Sequence, residues 1–68
     1  MNKLNQIRTE HNMSRKELGD IIGVSDKTIG RYEREECYPP VNYAMRIATY
    51  FNLLIEDIYE FEPKQANN

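Results

Sequence analysis

A chain of 68 residues with nine basic and eleven acidic side chains, a net charge of −2 and 40% hydrophobic residues has room for one small folded domain and too little interior for a deep catalytic cleft. One cysteine and one histidine exclude a disulfide framework, a cysteine-rich zinc site and a recognisable nucleophile-and-base set, so neither an enzyme nor a metal or other cofactor is expected. The opening MNKLNQIRTEHN has no apolar stretch of signal-peptide length, and no run approaches the ~18 residues of a membrane span, so the expectation is a soluble cytoplasmic protein.

Leu4, Ile7, Arg8 and His11 recur at steps of three and four, which predicts a first helix over residues 3–11 that Asn12 and Met13 break. Ser14 followed by Glu17 spells a capping box, and a second helix follows over 15–22 with Leu18, Ile21 and Ile22 facing inward and Gly23 ending it. Val24 is an apolar plug. Ser25 is again an N-cap residue type and opens a third helix in DKTIGRYERE, with Ile29 and Tyr32 on its inner face and Asp26, Lys27, Gly30 and Arg31 on the others. Beyond the loop to Pro39, Pro40 suits a first helical turn, and Val41, Ala44, Met45, Ile47, Ala48 and Phe51 predict a fourth helix with a broad apolar face. A short fifth helix is expected over 55–58, then a brief strand from the alternation of Tyr59 and Phe61 with Glu60 and Glu62. This gives an all-α, five-helix domain over 1–62, with room for a short C-terminal β-strand, and a disordered tail over 63–68.

The stretch from Arg15 to Arg34 is the informative one. Two short helices separated by about three residues cannot lie antiparallel and must cross steeply, which demands small residues at the crossing. Gly19 in mid-helix costs roughly 1 kcal/mol against alanine and makes sense if another helix passes close over it.

At this point the chain resembles the Cro/C1-type (XRE) helix-turn-helix family. The motifs are LNQIR, SRKELGDIIGVSDKTIGRYE, PPVNYAMRIATYF and IEDIYEFEP, in the family's order and spacing over roughly residues 3–59. It is most similar to very short members such as cytolysin-operon repressors. The resemblance implies a lambda-repressor-like fold and a homodimeric transcriptional regulator, a repressor, on operator DNA. Position by position it makes Asp26, Lys27 and Arg31 the residues that reach base edges, Ser25 and Thr28 backbone neighbours at the start of the recognition helix, and Arg15 a phosphate contact. It also implies that Arg8 and Glu33 form an internal salt bridge. The chemistry agrees. Lys27 and Arg31 can donate to guanine, Asp26 can accept from cytosine, orient the two cations or favour the helix N-terminus, and Thr28 can touch a phosphate or a thymine methyl.

Three departures from the family pattern stand out. Glu35 takes a position where a glycine is usual, so the loop is expected to differ in shape, and Glu35 with Glu36 puts negative charge where relatives present Lys or Asn. Gly30 removes a side chain from the recognition helix. Leu54 replaces the usual cap before the last helix. Tyr32, Tyr43 and Phe51 read as core, Cys37 as an inert thiol, and His11 as a helix C-terminal residue.

Residues 1–34 hold seven basic and five acidic side chains, a net of +2, against −4 for residues 35–68, which suits one face meeting phosphates. Four of the seven aromatic residues lie between Tyr50 and Phe61. A homodimer through Leu54, Ile55, Tyr59 and Phe61 is therefore expected, with no small-molecule ligand or membrane partner. A competing reading on the same fold is a protein-interaction module of antitoxin or anti-repressor type, with Glu35, Glu36 and the acidic half as its interface.

Overall fold

Four left-handed residues and two serines set most of the helix boundaries. In the computed structural model, which describes residues 2–59, the helices are α1 Leu4–Glu10, α2 Arg15–Ile22, α3 Asp26–Glu33, α4 Val41–Phe51 and α5 Ile55–Ile58. The Ser14 hydroxyl accepts from the Glu17 amide at 3.0 Å and the Glu17 carboxylate accepts from the Ser14 amide at 2.7 Å, the reciprocal pair that starts α2. Ser25 starts α3 alone, accepting from the Thr28 amide at 3.1 Å. Before α5, Leu54 has no acceptor to offer, and only the return half of the box survives: its amide donates to Asp57 at 2.9 Å.

Asn12, Gly23, Glu35 and Asn52 take positive φ just past α1, α2, α3 and α4. Three of these ends are Schellman motifs. At α3 the Glu36 amide reaches the Arg31 carbonyl at 2.9 Å and the Glu35 amide reaches Tyr32 at 3.1 Å. Asparagine tolerates the left-handed region, but Glu35 at φ 62° accepts a strain of roughly 1–2 kcal/mol that glycine avoids. The loop thus holds a glycine-type backbone conformation at a residue that is not glycine.

The core gathers one stripe from every helix: Leu4 and Ile7 of α1, Leu18 and Ile22 of α2, Ile29 and Tyr32 of α3, Ile47, Ala48 and Phe51 of α4, and Ile58 of α5. Three expected core residues lie outside it. Ile21 is 42% exposed, Val41 71% and Met45 56%. The reason is angular. On α2 the i, i+4 pair Leu18 and Ile22 fills the contact, and on α4 Ala44, Ile47, Ala48 and Phe51 do so, leaving Val41 and Met45 on a neighbouring stripe. Pro40 is the N-cap of α4 rather than a residue of its first turn. Tyr59, expected at a subunit contact, is buried within its own chain at 3% exposure, which pushes its hydroxyl pKa up. It forms a single antiparallel bridge with Asn2, and the Lys3 amide donates to the Ile58 carbonyl at 2.7 Å, so the two ends of the domain are tied together. Among the described residues this bridge is not extended into a strand. Phe61, the remainder of the expected strand and the tail lie outside the described residues. Among the described residues no helix is long and apolar enough to cross a membrane.

Gly19 is buried under the backbone of the following turn, not under a crossing helix. A β-carbon at Gly19 would run into the Val24 carbonyl oxygen, and the Ser25 carbonyl would stand 3.3 Å away. Neither is a movable side-chain end. Gly19→Ala should therefore lower the unfolding free energy by about 1–2 kcal/mol, the overpacking strain outweighing the gain in helix propensity. Urea denaturation checks this, and a stabilised variant would contradict it. Arg46 completes the frame from α4, donating to the Ile22 carbonyl at 2.9 Å at the end of α2 with its guanidinium over the Tyr43 ring.

Candidate nucleic-acid interface

With Ile29 and Tyr32 buried, the opposite side of α3 faces outward. Ser25, Asp26, Lys27 and Arg31 are exposed and Thr28 is half-buried, its hydroxyl 3.0 Å from that of Ser25. The first two turns of α3 thus bring together five of the six residues expected at DNA. Asp26, Lys27 and Arg31 join Arg15, Gly30, Arg34 and Glu36 in lining a shallow depression of about 330 Å³. Gly30, placed by the pattern on an outer face, is buried as its floor.

A carboxylate fixes the inner end of α3. The Glu33 side chain is only 3% exposed, and Arg8 Nε donates to its Oε2 at 2.6 Å. Its Oε1 accepts from Asn5 Nδ2 at 3.2 Å and from Arg15 Nε at 3.0 Å. Arg8 Nη2 adds a longer bond to the same Oε1 at 3.4 Å, and its Nη1 donates to the Met13 carbonyl at 2.7 Å. Glu33 therefore binds α1, α2 and α3 at one point. Burial pushes its carboxyl pKa up, and the hydrogen bonds from Arg8, Asn5 and Arg15 with the Arg8 charge more than offset this, leaving it below the ordinary value. Arg15, expected at a phosphate, has its Nε on Glu33 while its side chain stays 45% exposed. Nothing in a sequence spacing of eighteen marks that pairing.

Sequence reasoning also missed Arg34 and the direction of Glu36. Arg34 Nε donates to Glu36 Oε2 at 2.7 Å, and Arg31 Nε stands 3.7 Å from Glu36 Oε1. Glu36 thus turns back onto two arginines of α3 and its cap. The Arg34 hydrogen bond holds the Glu36 carboxyl below its ordinary pKa, and the same bond raises that of Arg34.

Two short helices joined by a Gly23–Ser25 turn, the second locked on its inner face and cationic on its outer one, define a helix-turn-helix DNA-binding domain. The chain belongs to the XRE-type helix-turn-helix family of transcriptional regulators: the helix-turn-helix family profile matches residues 4–58. This bears out the resemblance carried by the four sequence motifs. An uncharacterized HTH-type transcriptional regulator of Methanocaldococcus jannaschii is 38% identical over 61 residues, covering 90% of this chain and 92% of the relative. One from Archaeoglobus fulgidus is 33% identical over 63 residues, covering 93% and 89%. A transcriptional regulator from Listeria innocua shares the fold, with a TM-score of 0.82 at 24% identity over 97% of this chain. The chain spans 62% of that structure's length.

Proposed function

We propose that this protein is a cytoplasmic, sequence-specific repressor that binds an inverted-repeat operator as a homodimer, with α3 in the major groove. The observation that carries the reading is the outer face of α3. Asp26, Lys27 and Arg31 project from a helix whose opposite side is held by Ile29, Tyr32 and the Glu33 hub, so base-reading groups stand on a rigid support.

The dimer rests on apolar surface that one chain leaves uncovered. Leu54 is 65% exposed and Ile55 half-buried, and the exposed Val41 and Met45 of α4 continue their surface. Ile55 borders two depressions, one with Val41 and Tyr38 and one with Met45 and Leu54. A second copy on this face buries all of them and relates two α3 helices by a two-fold axis. The contact is thus formed by α5 and the outer edge of α4, with Tyr59 inside the protomer.

Selection of bound duplexes from a random pool tests the reading. The expected product is an inverted repeat with half-site centres about 34 Å apart, one turn of DNA. The selected site placed in a promoter should lower expression when the protein is supplied. Leu54→Ser should sediment as a monomer and bind that site more weakly. An asymmetric single site, bound equally by a parent that stays monomeric at micromolar concentration, would overturn the dimer. Absence of any salt-dependent DNA association, with capture of a protein partner through the acidic half, would favour the interaction module instead.

A further inference from the structure

Resting on the DNA-binding reading above, we infer that Glu36 is a built-in competitor for DNA, seated on Arg34 beside Arg31, in the anion position that a backbone phosphate takes at Arg34 when α3 enters the groove. The placement is fixed by the backbone. Glu35 in the left-handed region and the Glu36 amide on the Arg31 carbonyl at 2.9 Å bring residue 36 back over the last turn of α3. From there its carboxylate meets Arg34 through Nε at 2.7 Å and Nη2 at 3.5 Å, and Arg31 at 3.7 Å. Carboxylate and phosphate are the two oxyanions that match a guanidinium fork, so one occupies the place of the other.

The floor of the site is shaped for converging cations. At Gly30 the position a β-carbon would take lies 3.1 Å from Arg34 Nη1 and 3.7 Å from Arg15 Nη1. Both guanidinium groups thus lie over bare helix backbone; a β-carbon at 30 would be in ordinary contact with Arg15 and would ask the flexible end of Arg34 to shift by a few tenths of an ångström. The lining holds four cations, Arg15, Lys27, Arg31 and Arg34, against the carboxylates of Asp26 and Glu36, so a net positive field remains for an incoming phosphate. Arg31, Arg34 and Glu36 are each about half exposed, at 57%, 53% and 49%. Ion pairs in such water-washed positions are weak and are displaced at small cost. Glu36 therefore attenuates binding without abolishing it. Because phosphates carry no sequence information, the attenuation acts on every duplex by the same factor.

Glu36→Gln keeps the shape of the side chain and removes its charge. Its binding to a random-sequence duplex, followed across a salt titration beside the parent, should be tighter by roughly two- to tenfold at low salt, with an unchanged melting temperature. Arg34→Ala should weaken binding and lower the log–log salt slope by about 0.9. In the Arg34→Ala background the gain from Glu36→Gln should shrink, since the partner of the competition is gone. Equal affinity of Glu36→Gln and a salt-sensitive parent overturns the competitor and leaves the DNA reading intact. A gain that persists undiminished without Arg34 is a general charge effect and overturns it as well. A parent with no salt-dependent DNA binding removes both the reading and this inference.

Discussion

Replacing Glu33 with alanine should lower the unfolding free energy by about 3 kcal/mol or more, the range for a buried ion pair broken from one side. The deleted carboxylate leaves Arg8, buried at 9% exposure, facing its vacancy with the Met13 carbonyl as the remaining acceptor. Asn5 and Arg15 lose the same acceptor, so α1 and α2 both loosen from α3. For a domain of this size such a loss corresponds to a fall in melting temperature of roughly 12 °C or more. Calorimetry of the parent beside Glu33→Ala measures it, and equal melting temperatures would remove the hub from the account. The pH dependence has a definite sign. The folded-state pKa of Glu33 lies below its unfolded value, so its contribution is fully present above the ordinary carboxylate range near 4.5 and is lost as pH falls through the depressed folded value. Glu33→Gln has no such proton to bind, and its stability should fall less steeply over that acid window than the parent's.

Glu33 also shows which parts of this molecule a sequence discloses. Local chemistry was legible: Ser14, Ser25, Gly23 and Asn52 act on residues within one turn, and the expected limits of α2 and α5 are the observed ones. The Arg8–Glu33 pairing came only through resemblance to the family, whereas Arg15 as a third partner is set by how α2 rotates against α3, which no spacing encodes. The same limit explains α4. Its apolar positions define two adjacent stripes, and the decision to bury Ala44, Ile47, Ala48 and Phe51 while exposing Val41 and Met45 belongs to the packing partner. Tyr59 fails as a predicted contact residue for a related reason: alternation says that it faces the opposite side from Glu60, but not that this side is its own core. Least legible is Glu36. Its return onto Arg31 and Arg34 depends on a left-handed Glu35, a conformation that a glutamate does not announce.

Arg31→Ala and Lys27→Ala should each reduce affinity for the selected operator by about 1–3 kcal/mol, roughly five- to 150-fold, and relax the preference at one or two base pairs. Both side chains are exposed on the outer face of the first two turns of α3, where a helix lying in the major groove meets base edges. Arg31 presents a planar fork that suits guanine O6 and N7, so Arg31→Lys, which keeps the charge and loses the fork, should recover non-specific binding but little of the discrimination. Arg15→Ala offers the contrast. Its exposed guanidinium edge sits beside Gly30 rather than on the outer face, and its loss should weaken all duplexes alike while also costing some stability through Glu33. The measurement is a matrix of single-base operator variants against each protein. If Arg31→Ala weakened every variant by one common factor, with the order of preference unchanged, Arg31 would be a phosphate contact and the reading of sequence would rest on Lys27 and Asp26. If instead the loss is confined to one position in each half-site, that position locates Arg31 on the DNA and, through the two-fold axis of the proposed dimer, fixes the register of both α3 helices on the operator.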